Sequence, residues 1–98
     1  MYARVNTMQY QPGKVGEAFQ IFRESILSET RRQAGFQGVT VLFDHGTDKA
    51  VVITLWQTEA DAKASGAGSN YMQTQLPKAS SLFAAAPVVE IYEVALQE

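Results

Sequence analysis

An asparagine in the middle of an alternating strand is the first residue that calls for a chemical explanation. Residues 2–10 alternate, with Tyr2, Arg4, Asn6, Met8 and Tyr10 on one face and Ala3, Val5, Thr7 and Gln9 on the other. Asparagine is disfavoured in strands, so Asn6 points to an amide that meets a ligand or a cavity water; a solvated strand position is the plainer use. Trp56, the only tryptophan, closes an apolar run over residues 50–56 and stands where a sheet turns into a capped helix. There it can stack on a flat molecule and lend its indole N–H, or serve only as core. Tyr71 and Met72 follow the glycine pair of Gly66-Ala67-Gly68. A helix broken there would act as a lid with glycine hinges and could aim the Tyr71 hydroxyl inward, against the plainer reading of a loop. Arg4, if inward, binds an anionic oxygen; if outward, it is a surface charge on an edge strand. Met8, Phe43 and Met72 would complete an apolar lining, although packing is the commoner use of Phe43, as of Phe22, Phe83 and Tyr92.

Other chemistries find little support. His45, the only histidine, is a general base by type, but Asp44, Gly46, Thr47 and Asp48 around it spell a solvated turn. Glu90 and Glu93 fall on opposite strand faces and cannot act as a carboxylate pair. With no cysteine there is no disulfide or thiolate chemistry, and Asp44, His45 and Asp48 lack metal-ligand spacing, so no metal is expected. A net charge of −2 offers no footprint for nucleic acid or an anionic membrane. No signal peptide or membrane span is expected, which makes the cytoplasm the default location.

The elements that would hold these residues follow from periodicity. After the first strand, Pro12-Gly13 makes a turn, and Val15, Ala18, Phe19, Phe22 and Ile26 recur at helical spacing up to a stop near Gly35. Residues 36–44 and 50–56 form two strands joined by a hairpin over 44–49. Thr58 N-caps a second helix, with Asp61 three residues on. That helix breaks at Gly66, restarts at Ser69 or Asn70 and kinks or restarts again at Pro77. Pro87 opens a last strand over residues 88–96. The order β-α-β-β-α-β over residues 1–98 predicts one ferredoxin-like α+β domain, a four-stranded antiparallel sheet with both helices on one face.

Both faces of that sheet are apolar. Val39, Val41 and Phe43 oppose Leu42; Val51, Ile53 and Leu55 oppose Val52 and Trp56; Val89 and Ile91 oppose Val88, Tyr92 and Val94. Helices cover one face only, and an apolar face left open is rare on a monomer. A twofold homodimer that pairs the open faces is therefore expected.

In these elements the chain resembles the antibiotic biosynthesis monooxygenase family of dimeric α/β barrels. The likeness covers nearly the whole chain and rests on the element order, residues 33–38 before the second strand, the Asp44 to Lys49 hairpin, and Thr54-Leu55-Trp56-Gln57-Thr58-Glu59-Ala60-Asp61. It implies oxidation of a small electron-rich aromatic, quinol- or anthrone-like, by O₂ without metal, flavin or haem. The substrate anion itself reduces oxygen, and the protein supplies a dry, shaped pocket. Asn6, Trp56 and Tyr71 would then be catalytic, and Arg4, Met8, Phe43 and Met72 would bind substrate. The alternative is a small-ligand-binding or sensor protein of the same fold. Haem degradation, known in the same superfamily, resembles this chain in Asn6 and Trp56 but needs a histidine on the second helix, where this sequence has none.

Overall fold

A computed structural model describes residues 1–65 and 80–98. Four strands, β1 (Tyr2–Gln9), β2 (Phe36–Asp44), β3 (Lys49–Trp56) and β4 (Val88–Glu93), form one antiparallel sheet in the order β2-β3-β1-β4. A first helical stretch runs as α1 (Val15–Ile21), a π-helical turn (Phe22–Ile26) and α2 (Leu27–Arg31); α3 (Glu59–Ala64) follows β3. This is the ferredoxin-like α+β arrangement expected from the element order.

Alternation decides which side chains meet the helices. Tyr2, Arg4, Asn6 and Met8 on β1 pair across to Trp56, Thr54, Val52 and Ala50 on β3, so these eight share one face. Ala50, Val52, Thr54 and Trp56 are all buried. At one end of this face Tyr10, Val15, Ala18, Ala50 and Leu82 make a core cluster, with Met8, Ile21 and Phe83 packed against it. The other face of the sheet carries Val5, Leu42, Val51, Ile53, Leu55, Val88 and Tyr92. Leu42, Val88 and Tyr92 there are 50, 54 and 51 % exposed.

The structure departs from simple periodicity at several points. The first helical stretch is interrupted by the π-turn. β1 ends at Gln9, and Tyr10 continues only as an isolated bridge to Phe83. β4 stops at Glu93, where the Val94 N–H donates to the Met1 carbonyl. A bulge between Phe36 and Gly38 inserts Gln37 into β2, which turns Phe36 onto the helix side together with Val39. β1 is an interior strand, so Arg4 is not on an edge. The predicted break at Gly66, the restart at Ser69 or Asn70 and the kink at Pro77 lie outside the described residues.

Thr58 caps α3 as its residue type suggests: its hydroxyl accepts the Asp61 N–H at 3.0 Å. Gly35 is the backbone hinge between α2 and β2, at φ +80°. Its carbonyl accepts the Gln57 N–H at 2.8 Å, and an added Cβ would collide with the Asp61 carboxylate. Only glycine meets both demands, the left-handed φ and the close approach.

Candidate functional site

Three rows of side chains cross the helix face of the sheet. The first is Val39, Thr54, Arg4 and Ile91; the second Val41, Val52, Asn6 and Val89; the third Phe43, Ala50 and Met8. Asn6 is the polar group of the middle row. Its Oδ1 is buried and has no hydrogen-bond partner among the described residues. A buried carbonyl oxygen without a donor costs about 1–3 kcal/mol, and such groups in folded proteins call for an explanation. Val41, Val52 and Val89 are its neighbours in the row, and none of them carries a side-chain donor.

Arg4, two residues away on the same face, is inward and only 2 % exposed. Its guanidinium donates to the Ala62 carbonyl at 3.1 Å and to the Ser65 hydroxyl, and its Cζ lies 5.0 Å from the centroid of the Trp56 ring. A cation at the C-terminal end of α3 complements the carbonyl ends of that helix, and the indole face adds a cation–π contact. Arg4 thus ties α3 to the sheet.

Trp56 has no exposed surface. Its indole N–H donates to Thr54 Oγ1 at 2.9 Å, and its ring meets Phe36 edge-on at 5.8 Å. In this chain Trp56 therefore stands behind Arg4 as a support. Phe43 lies at the hairpin end of β2, its ring in edge contact with Phe19 at 5.1 Å and His45 at 5.6 Å. His45 is exposed in the hairpin, away from the middle row. Met8 is partly buried, and its sulfur accepts the Tyr10 hydroxyl at 3.3 Å. Burial raises the Tyr10 pKa above the ordinary phenol value. Tyr71 and Met72 lie outside the described residues. The structure thus brings Arg4, Asn6 and Met8 together on one strand, with Trp56 beneath Arg4 and Phe43 on the third row.

The π-turn of the first helical stretch leaves no trace in the sequence pattern. Phe19 fixes α1 over the third row through Phe43, and α2 rests on β2. The π-turn joins them. None of its residues is buried; Phe22 and Ile26 are half-buried. No group of three or more His, Cys, Asp or Glu side chains that could hold a metal ion occurs among the described residues. No helix among them is long and apolar enough to cross a membrane.

A four-stranded antiparallel sheet with helices on one face and a polar group at mid-sheet defines a class of small α+β proteins. The model of the antibiotic biosynthesis monooxygenase family matches residues 1–75, and the chain belongs to that family. No functionally curated protein matches it. A candidate antibiotic biosynthesis monooxygenase from Bordetella bronchiseptica is 18 % identical, with a TM-score of 0.81 over 97 % of each chain. A protein of unknown function from Nitrosomonas europaea is 20 % identical, with a TM-score of 0.77 over 99 % of this chain and 91 % of its own. An uncharacterised NIPSNAP domain protein from Burkholderia xenovorans is 16 % identical, with a TM-score of 0.71 over 97 % of this chain and 95 % of its own. At these identities the likeness is one of fold, and a fold hosts many functions.

Proposed function

We propose that the chain is a monooxygenase that oxidises a small electron-rich aromatic, quinol- or anthrone-like, with O₂ between the sheet and its helices. The observation that carries the reading is the partnerless Oδ1 of Asn6 in an apolar row. A ring hydroxyl donates to that oxygen and so fixes the ring against Val41, Val52 and Val89. The Arg4 guanidinium raises the local potential and favours the deprotonated ring, the electron-rich form that reduces O₂. For a ring methylene next to such an anion, one oxygen atom becomes the new carbonyl and the other leaves as water with the two hydrogens. Trp56 holds Arg4 in place, and Met8 and Phe43 extend the lining.

The site works in a homodimer, in which two open sheet faces bury Leu42, Val88 and Tyr92 against each other. The partners are then a small aromatic, O₂ and a second copy of the chain. Neither nucleic acid nor membrane takes part, no cofactor is needed, and the cytoplasm is the expected location.

Oxygen consumption by purified, metal-free protein with a panel of anthrones and hydroquinones tests the reading. The expected result is uptake that falls roughly tenfold or more in Asn6→Ala, the scale of one lost hydrogen bond to a reacting group. One observation favours the non-catalytic alternative: no carboxylate or imidazole stands in the middle row beside Asn6. Ring binding in a fluorescence titration without oxygen uptake would establish a ligand-binding protein instead.

A further inference from the structure

We propose that Met8 is an oxidation site and that Tyr10 is the donor set to hold its sulfoxide. The inference goes beyond the reading above and does not depend on a bound ring. Met8 and Tyr10 stand two residues apart, and the Tyr10 hydroxyl donates to the Met8 sulfur at 3.3 Å.

Tyr10 is a fixed donor. It is 7 % exposed, its backbone N–H donates to the Asp48 carbonyl at 2.9 Å, and its ring packs against Phe83 at 5.4 Å. An isolated bridge to Phe83 holds the same residue from the other side. Burial raises its pKa above the ordinary phenol value, so the hydroxyl keeps its proton and remains a donor throughout the neutral range. The acceptor it meets is poor. A thioether sulfur accepts hydrogen bonds weakly, and it is the acceptor this hydroxyl has among the described residues. A buried hydroxyl is better satisfied by a stronger one.

Oxidation supplies that acceptor. A sulfur lone pair attacks one oxygen of hydrogen peroxide, the O–O bond breaks and an S–O bond forms. The second oxygen leaves as water with both hydrogens. Sulfur is oxidised by two electrons and the peroxide is reduced by two. The sulfoxide oxygen is a strong acceptor borne on the sulfur that Tyr10 already addresses. In an apolar core such an oxygen has no donor, and the side chain is destabilised there. Met8 differs because its donor is in place, and the rotatable bonds of methionine let the oxygen turn toward it. Met8 is also half-buried, whereas Val15 and Ala50 of the cluster it packs against are buried. That leaves it open to an oxidant as small as peroxide.

The test compares wild type with Tyr10→Phe, each carrying Met72→Leu so that Met1 and Met8 are the methionines left. Both are treated with hydrogen peroxide, the oxidised residues are assigned by peptide mass spectrometry, and the urea midpoint is measured before and after. Met1, 49 % exposed, is the internal standard for a freely reactive methionine, and Met8→Leu reports what its oxidation alone does to the midpoint. Met8 is expected to take up one oxygen while the wild-type chain stays folded. The fall in midpoint should be roughly twice as large or more in Tyr10→Phe, the scale of a sulfoxide left without its hydrogen bond. The tyrosine ultraviolet band of oxidised wild type should also move to longer wavelength, as a phenol does when its acceptor strengthens; this reading decides if Tyr10→Phe does not fold. Met8 left unmodified in the folded chain while Met1 is fully oxidised overturns the proposal. So do equal midpoint shifts in the two backgrounds, or an unmoved tyrosine band.

Discussion

Asn6 holds the fold at a cost. Its Oδ1 is buried without a partner among the described residues, and a hydrocarbon of similar size would avoid that penalty. Asn6→Leu is therefore expected to raise the unfolding free energy by about 1 kcal/mol in urea denaturation while abolishing ring binding. A loss of stability in that variant would mean that Asn6 serves the core and not a ligand. Tyr10 supplies a pH test. Its phenol is held above the ordinary value by burial, so the folded state keeps its proton longer than the unfolded chain does. The resulting stability is fully present below the unfolded phenol pKa of about 10 and is lost as pH rises through the folded one. The urea midpoint should fall more steeply above pH ~10 in wild type than in Tyr10→Phe. Of the candidate residues, strand propensity singled out Asn6 and alternation placed it beside Arg4 and Met8. Residue type alone did not show that the Trp56 N–H is taken by Thr54, because the two side chains meet only when the residues between them are extended as a strand.

Among the elements, the hairpin and the start of α3 were legible because their signals are local. The turn formers from Asp44 to Asp48 and the Thr58 cap act within a few residues of themselves. Removing the cap with Thr58→Ala should lower stability by about 1 kcal/mol in a urea titration. Gly35 is more demanding, since its φ of +80° and the nearness of Asp61 penalise any Cβ. Gly35→Ala is expected to cost about 1–3 kcal/mol, read from the urea midpoint. Asp61→Ala in the same chain should recover the part due to the clash and leave the part due to φ. The π-turn and the Gln37 bulge carry no such signal. Each inserts one residue into an otherwise regular pattern, and the pattern of Val15, Ala18, Phe19, Phe22 and Ile26 fits an unbroken helix equally well.

For the whole molecule the decisive feature is a sheet with helices on one side and Leu42, Val88 and Tyr92 half-exposed on the other. Under the homodimer proposed above, Ile53→Glu sets a charge in the middle of that face. It should shift the protein from dimer to monomer in light scattering at micromolar concentration, since an unpaired charge is not buried without cost. A chain that is already monomeric as wild type would refute the dimer and leave the Asn6 site to be explained in one subunit.

The element order, the partition of each strand into two faces and the shared face of Arg4, Asn6 and Met8 were legible in the order of the amino acids. Those are consequences of short-range periodicity and turn chemistry. The inward turn of Arg4 to the end of α3 and the packing of its guanidinium on the Trp56 ring come from the fold. Each of these depends on contacts between residues far apart in the chain, Arg4 with Ala62 and Ser65 above all, and such contacts leave no periodic trace in the order of the amino acids.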